Sequence, residues 1–454
     1  MDYFFASFNR SSMLAIQHRN CLIHWRQLKT KTMINVHQKS IFYFIMAFIL
    51  LMTGCLKRHE VIYVEDLKIE QPVILEDFKE IHHIIKENYS FFSHKGIDPD
   101  SLFSTFYSQI KAVQNGEEYI RILLQYFAEL ENGHTNLALR RYEINNWATI
   151  AEDRLYLSHV FDESFREKGI HPKDEIVEIN HIPAMEWLNQ EMSYVSASTI
   201  VGSLETARIN VFQSYFPEER SYLIRTDEGL KEVSVVFRKP QPVKRKSSAS
   251  APRSLVESRV ISDSIGYMSI ALMQKCALLD FPSAFNDIKD KPYLIIDIRN
   301  NVGGNSHISE QIASYLLKHQ HKACVSKKKL LPRNDSYKGN LFLLIRGITS
   351  SAAESFVIDL KEGAQAILVG KPTPGDTGSG PRFFKTKNNI RFRVATRQPF
   401  FSAQGFPMEG KSIEPHYHIE ETLDDFLEGR DAALDFVKNL IEQGKYCHSK
   451  NYEL

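Results

Sequence analysis

The chain has 454 residues, a formal net charge of +1, 43% hydrophobic and 24% charged residues. That length leaves room for two or three domains, and the composition is that of a globular protein with a sizeable core. The near-neutral balance offers no electrostatic footprint for nucleic acid or another polyanion, and the short basic run around Lys244 reads as a solvated linker.

At the N-terminal end a lysine precedes an apolar run from Ile41 to Met52, followed by Thr53, Gly54 and Cys55. About a dozen apolar residues are short for a bilayer span but suit the core of a signal peptide. Leu51-Met52-Thr53-Gly54-Cys55 resembles a bacterial lipobox, whose cysteine is lipidated and becomes the mature N-terminus. Residues 1–54 are therefore expected to be an upstream extension and a lipoprotein signal peptide, with a start at Met33. Cys55 is the expected lipidation site, and residues 55–73 read as a tether. The expected location is the bacterial cell envelope, lipid-anchored and facing the periplasm or the exterior. Cys276, Cys324 and Cys447 form neither a CxxC pair nor a disulfide framework and are expected to be mostly buried thiols.

From Ile74 the pattern turns helical, with Phe78, Ile81, Ile85 and Tyr89 on one face. A second helix is predicted from Pro99 to about Val113, and a third from Glu117 to a stop at Asn132-Gly133. Together they form a small helical domain over 74–147 that ends in the segment carrying His134. A β-rich unit follows over 148–240, with an alternating strand at Ile176–Ile179 and a hairpin turned at Asp227-Glu228-Gly229. A helical stretch at 183–216 interrupts it. Residues 241–253, rich in Pro, Ser and basic residues, read as a linker. Beyond it, strands at Ile265–Ile270, Tyr293–Ile298, Leu341–Ile345 and Ala366–Val369 alternate with helices, which predicts an α/β layer with parallel strands over 254–442. A hairpin is predicted from Arg382–Lys387 and Ile390–Arg397, and 443–454 is a tail.

Two strand ends attract chemical interest. The stretch GITSSAAESF, Gly347 to Phe356, puts a double serine where an apolar strand gives way to a helix. The free N–H groups and dipole of a helix N-terminus favour negative charge there, the logic of a nucleophile elbow, although GxSxG is absent. A plain helix N-cap is the alternative. The adjacent glycines Gly303-Gly304 follow another apolar strand and allow a tight turn whose N–H groups face a ligand; no phosphate-loop spacing is present. The pairs His319/His321 and His416/His418 lack convergent cysteine or carboxylate ligands at zinc spacing, so no metal and no cofactor are expected.

Four blocks, ENGHTNL, YLIIDIRNNVGG, RGITSSAAESF and ILVGKPTPG, together resemble the C-terminal processing (tail-specific) and tricorn core serine peptidases in order and spacing. Residues 169–239 resemble that family's PDZ domain. The resemblance implies Ser351 as the nucleophile, the N–H groups of Gly304 and Ala352 as the oxyanion hole, and a peptide or unfolded protein as substrate. It also exposes departures. The lysine of the processing branch is replaced by Asp376, expected here to shape its loop, and Lys371 stands at that loop's glutamate position. The tricorn-like branch uses a histidine, and His134 falls where that base belongs. Glu409, in FPMEGKSIEP, falls where that branch carries the carboxylate orienting the histidine. Gly133 replaces the serine that tricorn has directly before it. The expectation is a lipid-anchored, extracytoplasmic serine peptidase with a small helical domain, a PDZ-like β-rich domain that binds peptides, and an α/β catalytic domain. Its rival is a catalytically impaired peptide-binding lipoprotein, which the missing lysine favours.

Overall fold

The computed structural model describes residues 62–67, 71–240, 254–377 and 380–444. The segment expected to be a signal peptide, Cys55, part of the expected tether, the 241–253 stretch, Cys447 and the tail beyond residue 444 lie outside the described residues.

The helical region consists of α1 (Gln71–Asn88), α2 (Pro99–Ala112) and α3 (Gly116–Ala128). Asp98 starts α2 by accepting the N–H groups of Asp100 and Ser101, with Pro99 at the first helical position, where its missing N–H costs nothing. The apolar stripe of α1 (Phe78, Ile81, Ile85) meets Phe106 and Ile110 of α2 and Ile120, Leu123 and Phe127 of α3 in one core. The third helix ends earlier than its sequence stop signal. The Asn132 side chain instead accepts from the His134 N–H (3.1 Å) and the Thr135 hydroxyl (2.9 Å), building the turn that presents His134.

The β-rich module is an antiparallel sheet, in spatial order β1 (Asn146–Ala151), β2 (Arg154–Val160), β3 (Glu175–Ile179), β4 (Glu219–Thr226) and β5 (Gly229–Val236). Alternate residues of the β4–β5 hairpin, Tyr222 and Ile224 against Val233 and Val235, face its core. The helical stretch expected at 183–216 is two helices, α4 (Ala184–Met192) and α5 (Ile200–Asn210).

In the third part, β6 (Val256–Val260) pairs antiparallel with β7 (Ile265–Ile270). The sheet then continues in parallel through β8 (Tyr293–Asp297), β9 (Asn340–Ile345), β10 (Ile367–Gly370) and the short strand Tyr417–His418. Helices α6 (Lys275–Asn286), α7 (Ser306–Ala313), α8 (Ala352–Ala364) and α9 (Ala432–Glu442) complete it. Val437 and Leu440 of α9 cover Ile295 and Phe342 on one face. Helix α8 is buried along nearly all of its length, which its run of Ala, Phe, Val, Ile and Leu permits. Because β8 and β9 are parallel, with Asp297 opposite Leu344, the loops leaving them emerge side by side at the carboxyl edge of the sheet.

The hairpin of β11 (Arg382–Lys385) and β12 (Arg391–Val394) leaves this part, and the Asn136–Leu137 strand pairs antiparallel with β12. That pairing brings the residues just after His134 to the α/β part. Among the cysteines, Cys324 is a buried free thiol. Cys276 departs from the expectation: it is half-buried in the first turn of α6 and disulfide-bonded.

Candidate active site

The turn between β9 and α8 distinguishes the two serines. Ser350 points its hydroxyl at the Val302 carbonyl (3.2 Å) and donates its N–H to the Asn301 carbonyl (3.2 Å), so it is spent on holding the two loops together. Ser351 has φ +58°, a region that costs a non-glycine residue about 1–3 kcal/mol unless its surroundings hold it there. They do: its N–H faces both the Asp376 carbonyl and the Glu354 carboxylate, each at 3.0 Å. Its hydroxyl is left facing His134, with Oγ 3.3 Å from Nε2.

The β8 loop comes close enough to need glycine. A Cβ on Gly303, whose φ is +93°, would lie 2.6 Å from the Ser350 carbonyl oxygen and 2.8 Å from the Ser351 Cβ. Gly304 is fixed from behind, since the Met273 carbonyl accepts the Asn305 N–H (2.8 Å) and Met273 donates to the Gly303 carbonyl (2.9 Å). Among the described residues the N–H groups of Gly304 and Ala352 meet no acceptor. The Ser351 N–H is already engaged, whereas these two N–H groups belong to the residues that follow Ser351 and the closely packed Gly303.

His134 lies 217 positions before Ser351, held by contacts to the β12 strand. The Arg393 guanidinium donates to the Gly133 carbonyl (3.0 Å) and to Asn136 Oδ1 (2.8 Å), while the Ala395 N–H donates to the Thr135 hydroxyl (2.9 Å). The Nδ1 of His134 is 2.6 Å from Asp376 Oδ1, and the two side chains are 12% and 18% exposed. Serine, imidazole and carboxylate thus stand in a row, the arrangement that activates a hydroxyl for acyl transfer.

Residues 264–419 match Peptidase family S41, and residues 150–236 match the N-terminal domain of Bacteroidetes S41 family peptidases. Over both stretches the chain is similar to peptidase family S41. Its fold is similar to that of mature CPAF, with a TM-score of 0.68 at 16% identity over 82% of this chain and 97% of that one. A serine-to-alanine mutant of CPAF gives 0.69 at 16% identity, with the same shares covered. CPAF complexed with lactacystin gives 0.67 at 16% identity, over 82% of this chain and 98% of that one.

In this chain the carboxylate on the histidine is not the one expected. Asp376 holds that position, whereas Glu409 makes no hydrogen bond to the imidazole. Glu409 is 2% exposed and stands behind Asp376, to which its backbone is bridged. Its oxygens have no hydrogen-bond partner, and the Lys95 ammonium is 3.4 Å away. Burial, and then the neighbouring Asp376 charge, push the Glu409 carboxyl up to about 7, with Lys95 pulling the other way. The reversal has a steric cause. A Cβ on Gly133 would sit 2.4 Å from Asp376 Oδ2, so the glycine before the histidine makes room for the aspartate. The hydroxyl missing at position 133 is replaced from the β-rich module: Ser198 donates to Asp376 Oδ1 (3.3 Å) and accepts the Gly133 N–H (3.3 Å). Lys371 faces away, its ammonium 3.9 Å from Glu420.

Two further contributors escaped the sequence reading. Glu354 is fully buried and accepts from the Thr373 hydroxyl (2.6 Å) and from the N–H groups of Gly375 (2.8 Å), Asp376 (3.0 Å) and Ser351. It ties the aspartate loop to the serine turn, and burial pushes its carboxyl up to about 8 against those hydrogen bonds. Its signal was the Ser-x-x-Glu spacing of a capping box, Ser351 to Glu354. Helix α5 is the second. Its N-cap Thr199 donates to the Pro374 carbonyl (2.8 Å), and a Cβ on Gly347 would lie 2.6 Å from Glu205 Cγ. The stretch that interrupts the β-rich module therefore braces the catalytic loops, and no local pattern announces that.

Proposed function

We propose that this chain is a serine peptidase that cleaves peptide bonds through an acyl-enzyme, with a histidine rather than a lysine as base. One observation carries the reading: Ser351 Oγ lies 3.3 Å from His134 Nε2 while Asp376 Oδ1 lies 2.6 Å from Nδ1. With Nδ1–H donated to Asp376, Nε2 is the lone-pair nitrogen facing the hydroxyl. Ser351 gives its proton to Nε2 as Oγ bonds to the scissile carbonyl carbon, and the oxyanion accepts from the Gly304 and Ala352 N–H groups. Each such donor contributes about 3–4 kcal/mol to the transition state. The imidazolium then protonates the leaving amine, the C–N bond breaks, and an acyl-serine remains. Water attacks that ester, His134 takes and returns the proton, and the acid product leaves with Ser351 restored.

Substrates are peptides or unfolded protein chains. The β-rich module presents β5 as an edge strand, which can take an extended peptide as an added strand. Cys55 is the lipidated N-terminus of a protein held at the bacterial cell envelope, outside the cytoplasm. Among the described residues no helix is long and apolar enough to cross a membrane.

A fluorophosphonate probe tests the chemistry, because it reacts only with an activated serine. Labelling of Ser351, abolished in Ser351→Ala and suppressed in His134→Ala, is expected. A folded protein that takes no label would instead be a peptide-binding lipoprotein without hydrolytic activity. Titration of full-length Ser351→Ala with peptides bearing free or amidated C-termini tests capture of chain ends, and equal affinity would exclude it. Cys55→Ser should leave a larger precursor that takes up no fatty-acid label; a precursor processed normally would refute the anchor.

A further inference from the structure

A second group of ligand-type side chains lies on α8, away from the serine, and the acyl-transfer chemistry does not use it. His321 opens the short strand His321–Lys322, Cys324 follows it, and Asp359 comes from the middle of α8. All three are buried, and their nitrogen, sulfur and oxygen atoms lie within 4.8 Å of one another. His321 Nε2 is 3.0 Å from Asp359 Oδ1, which also accepts the Cys324 N–H at 2.9 Å. One turn further along α8, Glu362 Oε2 is 3.9 Å from the same imidazole nitrogen.

The balance of donors and acceptors is incomplete. Asp359 is 0% exposed, yet its Oδ2 has no hydrogen-bond partner, and neither has Glu362 Oε2. A buried acceptor left unmet costs about 1–3 kcal/mol, and more when it is charged. The backbone has nonetheless been shaped to keep the group together: a Cβ on Gly363 would lie 3.0 Å from the His321 Cβ, so only glycine lets the imidazole come this close to the helix.

We propose that His321, Cys324, Asp359 and Glu362 form a buried binding site for a zinc-class divalent ion. An imidazole, a thiolate and two carboxylates suit a borderline ion such as Zn²⁺ or Co²⁺, whereas Mg²⁺ and Ca²⁺ select oxygen ligands. Tetrahedral zinc with bonds of about 2.0–2.3 Å sets its ligand atoms roughly 3.3–3.8 Å apart. The His321–Asp359 and His321–Glu362 distances of 3.0 and 3.9 Å bracket that spacing, while the His321, Cys324 and Asp359 atoms spread over as much as 4.8 Å, so an ion would draw the thiol and Glu362 inward to complete its shell. Binding displaces the Cys324 thiol proton, so the ion and protons compete for the site. Four protein ligands in a buried setting make a closed, structural site. Asp359 is two turns along the helix from Ser351, about 12 Å at 1.5 Å per residue, so the ion is remote from the acyl-transfer step. It ties the helix that presents the nucleophile to the 321–324 segment.

The test uses the full chain, stripped with a chelator and then loaded with Co²⁺ alone. One Co²⁺ per chain with a thiolate-to-cobalt charge-transfer band is expected, together with a Tm raised by Zn²⁺. Cys324→Ser should abolish the band and weaken Zn²⁺ binding by at least about 100-fold, beyond what loss of an outer-shell partner costs. If that variant does not fold, His321→Ala, which keeps the thiolate, should instead shift the cobalt ligand-field bands and weaken Zn²⁺ binding by a similar factor. A folded, stripped wild type that shows no thiolate band, a band that survives Cys324→Ser, or an unchanged Zn²⁺ affinity in His321→Ala would overturn the site. The rate of serine labelling is unaffected in both outcomes, which keeps this test separate from that of the peptidase reading.

Discussion

Two histidine–aspartate pairs flank helix α8, and their surroundings give them different capacities. At its N-terminal end, His134 and Asp376 are 12% and 18% exposed, and the second imidazole nitrogen faces the Ser351 hydroxyl. In its middle, His321 and Asp359 are 6% and 0% exposed, and the same imidazole nitrogen that meets the aspartate also faces Glu362, with a thiol close by. The first pair leaves one nitrogen facing the hydroxyl of a half-buried serine. The second turns its nitrogen inward among buried acceptors. Pairing a histidine with an aspartate therefore specifies no chemistry; the partner of the other nitrogen and access to solvent decide it.

The sharpest way to break this comparison is to remove the hydroxyl. Ser351→Ala is expected to lower kcat by about 10⁴–10⁶, while Ser350→Ala, whose hydroxyl only bonds the Val302 carbonyl, should stay within about tenfold. Equal losses would erase the distinction between the two serines. Next comes the choice of carboxylate. Asp376→Asn should reduce kcat by about 10³–10⁴, because the amide favours the wrong imidazole tautomer, and Glu409→Gln by no more than about tenfold. The opposite ranking in steady-state kinetics would return the orienting role to Glu409.

Gly133→Ser sharpens the comparison from the steric side. With its Cβ only 2.4 Å from Asp376 Oδ2, the new side chain displaces the carboxylate, and we expect kcat to fall by about 10–100-fold with little change in KM. Unchanged kcat would mean that the aspartate does not need that space. For the inner pair the effect should be on stability alone. His321→Ala opens a cavity and removes the imidazole facing Asp359, costing about 2–4 kcal/mol in urea unfolding while kcat/KM stays within a few-fold. A large loss of activity in protein still folded would couple the two pairs.

The smallest effect is a pH dependence. The folded protein holds the Glu409 proton up to about 7, above the usual carboxylate value of 4.5, chiefly through burial. The stability this contributes is complete below about pH 4.5 and is lost as pH rises through about 7, because the unfolded chain gives up that proton first. Wild type should therefore lose Tm relative to Glu409→Gln between those limits. Parallel Tm curves for the two proteins would show that Lys95 already holds Glu409 ionised.

Much of this molecule could be read from local pattern. The apolar spacing of α1, the Asp98-Pro99 start of α2 and the unbroken apolar runs of β8 and β9 specify their elements through periodicity and capping, which depend on neighbours in sequence. The Ser-x-x-Glu spacing that makes Glu354 a clamp is equally local, although only the structure shows how many donors it gathers. The blocks around His134, Gly303-Gly304 and Ser351 were also visible in one dimension, because close backbone approach demands glycine and small residues there.

What the tertiary structure alone decided is which distant side chains meet. Asp376 and Glu409 lie on adjacent, bridged backbones, and both are acidic residues in glycine-bearing loops. Nothing in their sequence neighbourhoods says which one stands in front. That depends on the volume left empty at Gly133, 243 positions away by residue number, and on Ser198, delivered by a helical insertion from another module. His321, expected from the sequence to lack convergent cysteine or carboxylate ligands, meets Cys324, Asp359 and Glu362 once a strand is laid against α8. Periodicity and turn chemistry are properties of a few consecutive residues and survive in the sequence. The identity of a contact across two hundred positions is set by packing, where an absent Cβ matters as much as a present charge.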